Sequence, residues 1–264
     1  MRKLVFADVD GTMVRTGSKE YEEDYVSPHM HAVVRRMLDN EVVLPVNTSR
    51  SNGMMTELAT SLGLRDLSVL DGGATIYDFG RQARDKRLSR WLAISVTKEV
   101  VQKIGPHIDT IYYTEHSQER TSETFDISEI VTPTPSVFAS YDNRRAARIE
   151  TLLSPISGID AHINTYNGTT THTCVQVVTE GVSKKSGIEI VLGDERYADI
   201  RAEDMVAIGD GKPDVDMFHA MPPGALKLAM GNAHPELKAE ADIVLPYTAD
   251  EDGFAWAMER YVLR

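Results

Sequence analysis

Cysteine is almost absent from this sequence. Cys174 is the single one among 264 residues, so a disulfide within the chain is excluded. It lies in the strand-like run 171–178, and we expect it to be a small buried residue of the core. Long apolar runs are absent too, and none approaches the roughly 20 residues of a membrane-spanning helix. The chain also starts without the basic and then apolar segment of a secretory leader. These absences predict a cytoplasmic protein.

Positive charge is also scarce. Lysine and arginine number 28 against 40 acidic residues, which gives a formal net charge of −12. Such a balance argues against a nucleic-acid surface or an anionic membrane as partner. Any site for a phosphorylated ligand must then create its own local positive field. The eight histidines show no spacing typical of a zinc site.

The order of apolar and polar segments predicts an α/β fold. Strand and helix patterns alternate from the start to about residue 79 and again after about residue 181, as in a doubly wound parallel sheet with covered faces. The stretch between is more polar and more broken, and predicts an inserted α+β cap with an antiparallel sheet. We therefore predict a catalytic core at 1–79 and 182–264 and a cap at 80–181. Core strands are predicted at 4–7, 42–46, 67–70, 74–77, 205–208, 226–230 and 243–245, and core helices at 27–40, 51–62, 184–192, 215–220, 235–240 and 253–262. In the insert we predict strands at 110–114, 137–141, 161–166 and 172–179, helices at 90–104 and 143–153, and a loop at 121–135.

Two carboxylates stand at the end of the first predicted strand. Asp8 and Asp10 are spaced i, i+2, and in an extended segment such side chains project to the same side. Two buried anions so close repel each other, so one takes up a proton or a cation lies between them. Mg2+ with oxygen ligands would resolve the repulsion. Gly11 allows the sharp turn that brings backbone N–H groups toward an anion.

Further polar side chains follow other predicted strands or open helices: Thr48, Asp210, Asp214 and Lys184. Each has an ordinary explanation, because threonine caps helices, Asp-Gly forms turns, acidic residues favour helix N-termini and most lysines lie on the surface. The carboxyl ends of parallel strands, however, meet at one edge of a sheet, where ligands bind. The sequence therefore predicts that these groups share one site.

The same residues resemble the four motifs of the haloacid dehalogenase superfamily. The matching stretches, in order, are Asp8-Val9-Asp10-Gly11-Thr12, Thr48-Ser49-Arg50, Gly181-Val182-Ser183-Lys184 and Gly209-Asp210-Gly211-Lys212-Pro213-Asp214. The tail Met230-Gly231-Asn232 and the position of the insert are similar to the Cof-type branch, subfamily IIB, which carries a C2-type cap on a Rossmann-like core. The resemblance covers essentially the whole chain, in the cap by topology only.

The resemblance implies a Mg2+-dependent phosphatase. Asp8 would be the nucleophile that forms an aspartyl-phosphate, and Asp10 the general acid and base. Asp8, the backbone carbonyl of Asp10 and Asp210 would hold Mg2+, with Asp214 supporting them, while Thr48 and Lys184 would bind phosphoryl oxygens. The substrate would be a small phosphorylated metabolite, most simply a sugar phosphate. Candidate substrate contacts are Gly11, Thr12, Ser49, Arg50 and Lys212, and in the cap the turn 165–168.

Three positions depart from the family pattern. Ser49 stands where glycine is usual, and Asp71-Gly72 stands where Asn-Gly is usual. Pro213 stands where asparagine usually precedes the second aspartate of the fourth motif, so one amide is lost beside the predicted metal site.

Other functions share parts of this pattern. A phosphomannomutase-like enzyme would pass the phosphoryl group to a sugar hydroxyl, and trehalose- or sucrose-phosphate phosphatases share the core and the cap type. A receiver-like regulatory protein also uses an aspartate cluster with threonine and lysine, but Asp10 and the large cap argue against it. A member that only binds a phosphorylated ligand is favoured by Pro213 alone.

Overall fold

The computed structural model describes residues 2–15, 26–113, 119–121, 126–165 and 171–264. At its centre a parallel sheet has the strand order β1-β10-β11-β12, formed by Leu4–Ala7, Met205–Gly209, Leu226–Ala229 and Ile243–Val244. β1 pairs in parallel with β10, with Ala7 opposite Ile208, and every residue of both strands is buried. Apolar strands covered on both faces are typical of doubly wound sheets.

Residues 42–47 extend the sheet on the other side of β1. Bridges join Leu4 to Val43 and Ala7 to Val46, and Asn47 to Val69 of β2, which spans Leu67–Leu70. The ladder to β2 is irregular because side chains of the residues around β2 accept two of its backbone N–H groups. Leu44 N donates to Asp66 Oδ2 at 2.8 Å, and Val46 N donates to Ser68 Oγ at 3.1 Å. Pro45 between them has no N–H to give.

Helices cover the two faces of the sheet. The first, α1 (Pro28–Asp39), begins as its sequence predicts, with Ser27 Oγ accepting from Met30 N and proline in the first turn. α2 (Asn52–Leu62) has Ser51 as its N-cap and Gly63 in the left-handed region after its end. The remaining core helices are α5 (Lys184–Leu192), α6 (Asp214–Ala220), α7 (Pro235–Glu240) and α8 (Gly253–Ala257).

The insert has a second sheet and its own hydrophobic core. Its five strands are antiparallel in the order β6-β5-β7-β9-β8, formed by Glu119–Thr121, Thr110–Tyr113, Val137–Asp142, His172–Thr179 and Ile159–Thr165. The helices α3 (Ile94–Ile104) and α4 (Ala146–Leu153) contribute buried side chains to a cluster with Val175 and Val177 of β9. The predicted α/β fold with an inserted cap is thereby confirmed, while the boundaries at 80 and 181 remain a prediction.

Several elements differ from the sequence prediction. The segment after β2 forms β3 (Thr75–Asp78), which turns back antiparallel to β2 and continues to β4 (Ala83–Arg84), a strand the sequence did not indicate. Helix α3 begins at Ile94 rather than at residue 90, and the last helix changes to a π turn over Met258–Val262. Within the predicted loop 121–135, a 3-10 turn covers Ile127–Glu129. Cys174 is buried, as predicted. Among the residues that the structure describes, no helix has the length and apolar character needed to cross a membrane.

Candidate active site

Four segments of the chain meet at the carboxyl edge of the central sheet. Asp8 follows β1, and its N–H donates to Ile208 O of β10 at 3.0 Å, so that Asp8 and Asp210 stand side by side. Thr48 follows the neighbouring segment 42–47, and its N–H donates to Val69 O of β2. Lys184 opens α5 and reaches the same edge. The structure thus brings together Asp8, Thr48, Lys184, Asp210 and Asp214, as the sequence predicts, while their chemical roles remain predictions.

Lys184 links two carboxylates below the surface. Its Nζ donates to Asp8 Oδ1 at 2.6 Å and to Asp214 Oδ1 at 2.7 Å. All three side chains are buried, with 6%, 8% and 1% of the side chain exposed for Lys184, Asp8 and Asp214. Although burial of the ammonium opposes it, the fields of Asp214 and Asp8 raise the pKa of Lys184, which stays charged. The N-cap Ser183 fixes the start of α5 through a capping box with Ser186.

Asp214 acts as an internal support. Its second oxygen, Oδ2, accepts from Asp210 N at 3.0 Å and from Gly211 N at 2.8 Å, so the carboxylate holds the turn between β10 and α6. With Lys184 on Oδ1, the carboxylate has three donors. A side chain at Gly209 would not fit, because an added Cβ would lie 2.6 Å from the Asp214 carboxyl carbon.

Asp210 is oriented by two donors from other segments. Thr12 Oγ1 donates to Oδ1 at 3.3 Å, and Asn232 Nδ2 donates to Oδ2 at 2.9 Å. The same Asn232 amide donates to Gly11 O at 2.9 Å and accepts from Ala249 N at 3.1 Å. Asn232 was part of the tail resemblance, but sequence reasoning gave it no place in the site. A single asparagine in a loop carries no signal of its contact with Asp210.

Gly11 is required by the closeness of this packing. Its φ of +74° lies in the left-handed region, and an added Cβ would lie 2.2 Å from Asp210 Oδ2. Both the backbone conformation and the space exclude a larger residue here. The turn therefore brings the segment after β1 directly against Asp210.

The cluster carries more negative than positive charge. Oxygen atoms of Asp8, Asp210 and Asp214 lie within 4.8 Å of one another. Burial, together with the charge of Asp214, raises the pKa of Asp8 to about 7 despite the opposing effect of Lys184. Burial and the charges of Asp8 and Asp214 raise the pKa of Asp210 to about 9. One ammonium among three carboxylates leaves an excess of two negative charges, and an oxygen-only donor set of this kind fits a hard divalent cation such as Mg2+.

Asp10 lies outside this cluster and pairs with Arg50. Arg50 Nε donates to Asp10 Oδ2 at 2.9 Å and Arg50 Nη2 donates to Asp10 Oδ1 at 2.6 Å, a two-pronged contact. The Asp10 side chain is 59% exposed and the Arg50 side chain 11% exposed. The second predicted carboxylate is thus held at the mouth of the site, while Asp8 lies inside.

The other predicted contacts are less central. Ser49 lies in the loop with Thr48 and Arg50, where Thr48 Oγ1 accepts from Arg50 N at 3.1 Å. Lys212 Nζ donates to Glu236 on α7 at 3.0 Å, and both side chains are more than half exposed. Residues 166–168 of the predicted cap turn lie outside the described residues.

Comparisons with known proteins agree with this geometry. The sequence model of the haloacid dehalogenase-like hydrolases matches residues 5–258. Two proteins of Bacillus subtilis (strain 168) are similar to parts of the chain. The stress response protein YhaX is 37% identical over 87 residues, 33% of this chain and 28% of that protein. The putative phosphatase YkrA is 44% identical over 83 residues, 31% of this chain and 30% of that protein. The similarity therefore spans less than a third of either relative.

A solved structure extends the likeness to the whole chain. The HAD subclass IIB sugar phosphatase BT4131 superposes with a TM-score of 0.74 at 18% identity, over 99% of this chain and 100% of that one. At this identity the likeness concerns the fold, core and cap together. Since the family match runs from β1 to the last helix, the chain belongs to the haloacid dehalogenase-like hydrolases.

Proposed function

We propose that the protein is a Mg2+-dependent phosphatase of the Cof-type branch that hydrolyses a small phosphate monoester. One observation carries the proposal: a buried carboxylate, Asp8, is held by Lys184 beside Asp210 and Asp214, at the mouth of which a second carboxylate, Asp10, is available. A nucleophile, a fixed positive charge, a cation site and an acid–base group are the parts that phosphoryl transfer through an enzyme carboxylate requires.

The first step follows from these positions. A carboxylate oxygen of Asp8 forms a bond to phosphorus while the bond from phosphorus to the ester oxygen breaks, and Asp10 in its protonated form gives a proton to that oxygen. Lys184 stabilises the negative charge that the carboxylate and the phosphoryl group bring together. Thr48 lies on the adjacent loop, where its hydroxyl can donate to a phosphoryl oxygen.

In the second step Asp10 takes a proton from water, the water oxygen attacks phosphorus, and the Asp8 carboxylate leaves. Inorganic phosphate is released and both aspartates regain their starting forms. A bound Mg2+ supplies positive charge that lowers the repulsion between carboxylates and phosphoryl oxygens. Asp8, Asp210 and the backbone carbonyl of Asp10 would hold it, and Asp214 would support Asp210 and Lys184.

A sugar phosphate is the proposed substrate class. The support comes from BT4131, whose structure has this fold and which is named a sugar phosphatase, and from YkrA, which is named a putative phosphatase. The cap sheet gives the chain a second lobe that can cover a small ligand and exclude water during the reaction.

The test is release of inorganic phosphate from a panel of esters, an aryl phosphate and several sugar phosphates, with Mg2+ and with chelator. Asp8→Asn keeps the shape of the side chain but removes the nucleophile, so turnover should fall by a factor on the order of 10^4 or more. Asp39→Asn, on the exposed end of α1, makes the same chemical change away from the site and should keep full activity. Failure of every ester to turn over, or equal turnover by Asp8→Asn, would contradict the proposal. Appearance of a phosphorylated sugar in place of inorganic phosphate would instead indicate a mutase.

A further inference from the structure

The cap places one buried amide directly on the catalytic core. Gln176, in the middle of β9, is 3% exposed. Its Nε2 donates to Ser49 O at 3.2 Å and to Ser136 Oγ, just before β7, at 3.2 Å. Val175 and Val177, on either side of it, point into the cap core, whereas Val178 packs with Ala74 and Val182 of the core side. Gln176 therefore projects from the sheet face that meets the core.

The place where Gln176 lands joins two core loops. The first is the loop 48–50, and the second is the turn 71–73 after β2. Gly72 N donates to Thr48 O at 3.0 Å and Asp71 N donates to Arg50 O at 2.9 Å. Gly72 has no room for a side chain, because an added Cβ would lie 2.5 Å from Gln176 Oε1. The amide thus donates to one loop with its nitrogen and packs on the other with its oxygen.

The loop under Gln176 controls the outer carboxylate of the site. Ser49, whose carbonyl takes the hydrogen bond, immediately precedes Arg50. The Arg50 guanidinium makes the two-pronged contact with Asp10, and the Arg50 N–H donates to Thr48 Oγ1. A displacement of the Ser49 carbonyl is therefore passed along the backbone to Arg50, and through Arg50 to Asp10.

We propose that Gln176 is a positioning residue through which the seated cap sets Arg50, and thereby Asp10, in the geometry needed for proton transfer. The inference rests on the proposed function for its kinetic consequence. The link itself is made by described contacts: Gln176 to Ser49, Ser49 to Arg50 by covalent bond, and Arg50 to Asp10.

Other described contacts between the insert and the core lie elsewhere. Arg90 Nη1 and Nη2 donate to Gly181 O and Glu180 O, and Trp91 Nε1 donates to Thr75 Oγ1 at 2.9 Å. His162 Nε2 lies 2.9 Å from Val182 O. These contacts hold the two linkers, so a change at Gln176 leaves the attachment of the cap in place and removes its contact with the loop 48–50.

The expected effect depends on the leaving group of the substrate. A sugar hydroxyl leaves as a strong base and needs the proton from Asp10, whereas para-nitrophenolate leaves without one. Removing a positioning hydrogen bond should thus slow cleavage of a hexose phosphate by about tenfold, the size of one hydrogen bond, and cleavage of para-nitrophenyl phosphate by less than about threefold. A role in general stability alone would slow both esters equally.

Two variants at this position separate shape from hydrogen bonding. Gln176→Glu keeps the size but cannot donate to the Ser49 carbonyl, and Gln176→Met keeps the length without any polar group. Gln102→Met is the matched control, since Gln102 is exposed on the cap helix α3. Both Gln176 variants should fold with unchanged circular dichroism, and Gln102→Met should behave as the parent in every assay.

Hydrogen exchange tests the link without any substrate. Deuterium uptake by the Gln176 variants should rise in peptides covering 47–51 and 70–74, because the N–H groups of Arg50, Asp71 and Gly72 are bonded within this unit. Uptake in β10 should not change. Single-turnover release of the leaving group from the two esters then gives the kinetic comparison.

The outcomes are distinguishable from failure of the proposed function. Unchanged exchange at 47–51 overturns the inference whether or not the protein cleaves esters. Altered exchange with equal losses on both esters also overturns it, since Asp10 would then not be the group affected. If the parent cleaves no ester, the phosphatase proposal fails, and the positioning of Asp10 for proton transfer fails with it, even where exchange reveals the contact.

Discussion

Asp71 offers a test of the electrostatics next to the site, because it is a buried carboxyl that the proposed reaction does not use. It is 4% exposed and lies in the turn between β2 and β3, with a φ of +53°. Burial raises the pKa of Asp71 to about 7, against opposing effects of the hydrogen bond from Thr75 and of Arg84. Asp71→Asn removes the titrating group while keeping the shape, and asparagine tolerates the left-handed backbone as well as aspartate does.

The magnitude follows from linkage. The folded protein holds the proton on Asp71 up to about pH 7, whereas the unfolded chain loses it near its ordinary pKa of 3.8. The free energy of unfolding is therefore unaffected by Asp71 at lower pH and falls as pH rises through this window. At about 1.4 kcal/mol for each tenfold change in proton affinity, the full loss is about 4 kcal/mol. Asp71→Asn, which stays neutral, should be as stable as the parent near pH 4 and more stable by about 1.5 kcal/mol at pH 5 and about 4 kcal/mol at pH 8.

Urea unfolding of both proteins at several pH values, followed by circular dichroism, gives this difference directly. Glu57→Gln, a carboxyl-to-amide change on the exposed face of α2, is the control and should show no comparable trend. A difference between Asp71→Asn and the parent that is constant from pH 4 to pH 8 would refute the reasoning, since it would mean that the Asp71 carboxyl is ionised throughout. A difference that favours the parent at high pH would indicate that the ionised form is stabilised by its neighbours.

Three further changes test the cluster itself. Lys184→Met leaves Asp8 and Asp214 without their ammonium and should cost about 3–5 kcal/mol at neutral pH, less in acid, by urea unfolding; equal stability would contradict the ion pairs. Gly11→Ala places a Cβ against Asp210 and forces a strained φ, so calorimetry should detect loss of Mg2+ binding, with a stability cost of at least about 1 kcal/mol. Asn232→Ala removes the donor from Asp210 Oδ2 and should weaken Mg2+ binding by about 10- to 100-fold; an unchanged affinity would mean that Asn232 does not orient this carboxylate.

The sequence predicted the members of the site because each is local to a strand end or a helix start. Asp8 follows an apolar run, Asp210 follows another, and Lys184 opens a helix behind a serine cap. Parallel strands then bring these points to one edge without any further information about packing. Most helices were predicted to within two residues for the same reason, since the signals for their ends lie in the local sequence.

The sequence could not predict contacts that depend on where distant segments come to rest. Gln176 and Ser49 are 127 positions apart, and their bond exists only because the cap sheet and the loop 48–50 meet. Similarly, the pairing of Arg50 with Asp10 depends on how two loops leave neighbouring strands. The irregular ladder beside residues 42–47 arises from Asp66 and Ser68, whose side chains replace backbone partners, an exchange that strand patterns do not reveal.

Pro213 illustrates how such distant contacts bear on a local departure. Its place in the fourth motif suggested that an amide was missing beside the metal site. Pro213 has φ −62° and stands at the start of α6, where its ring is compatible with the helix that carries Asp214. The Asp214 carboxylate is nonetheless held by Lys184 and by the N–H groups of Asp210 and Gly211. An amide does reach Asp210, but it comes from Asn232, which also binds Gly11 O and so joins the first and fourth motifs. Loss of one amide at position 213 therefore leaves the cluster oriented, and the argument that Pro213 makes the chain a mere binding protein loses its physical basis.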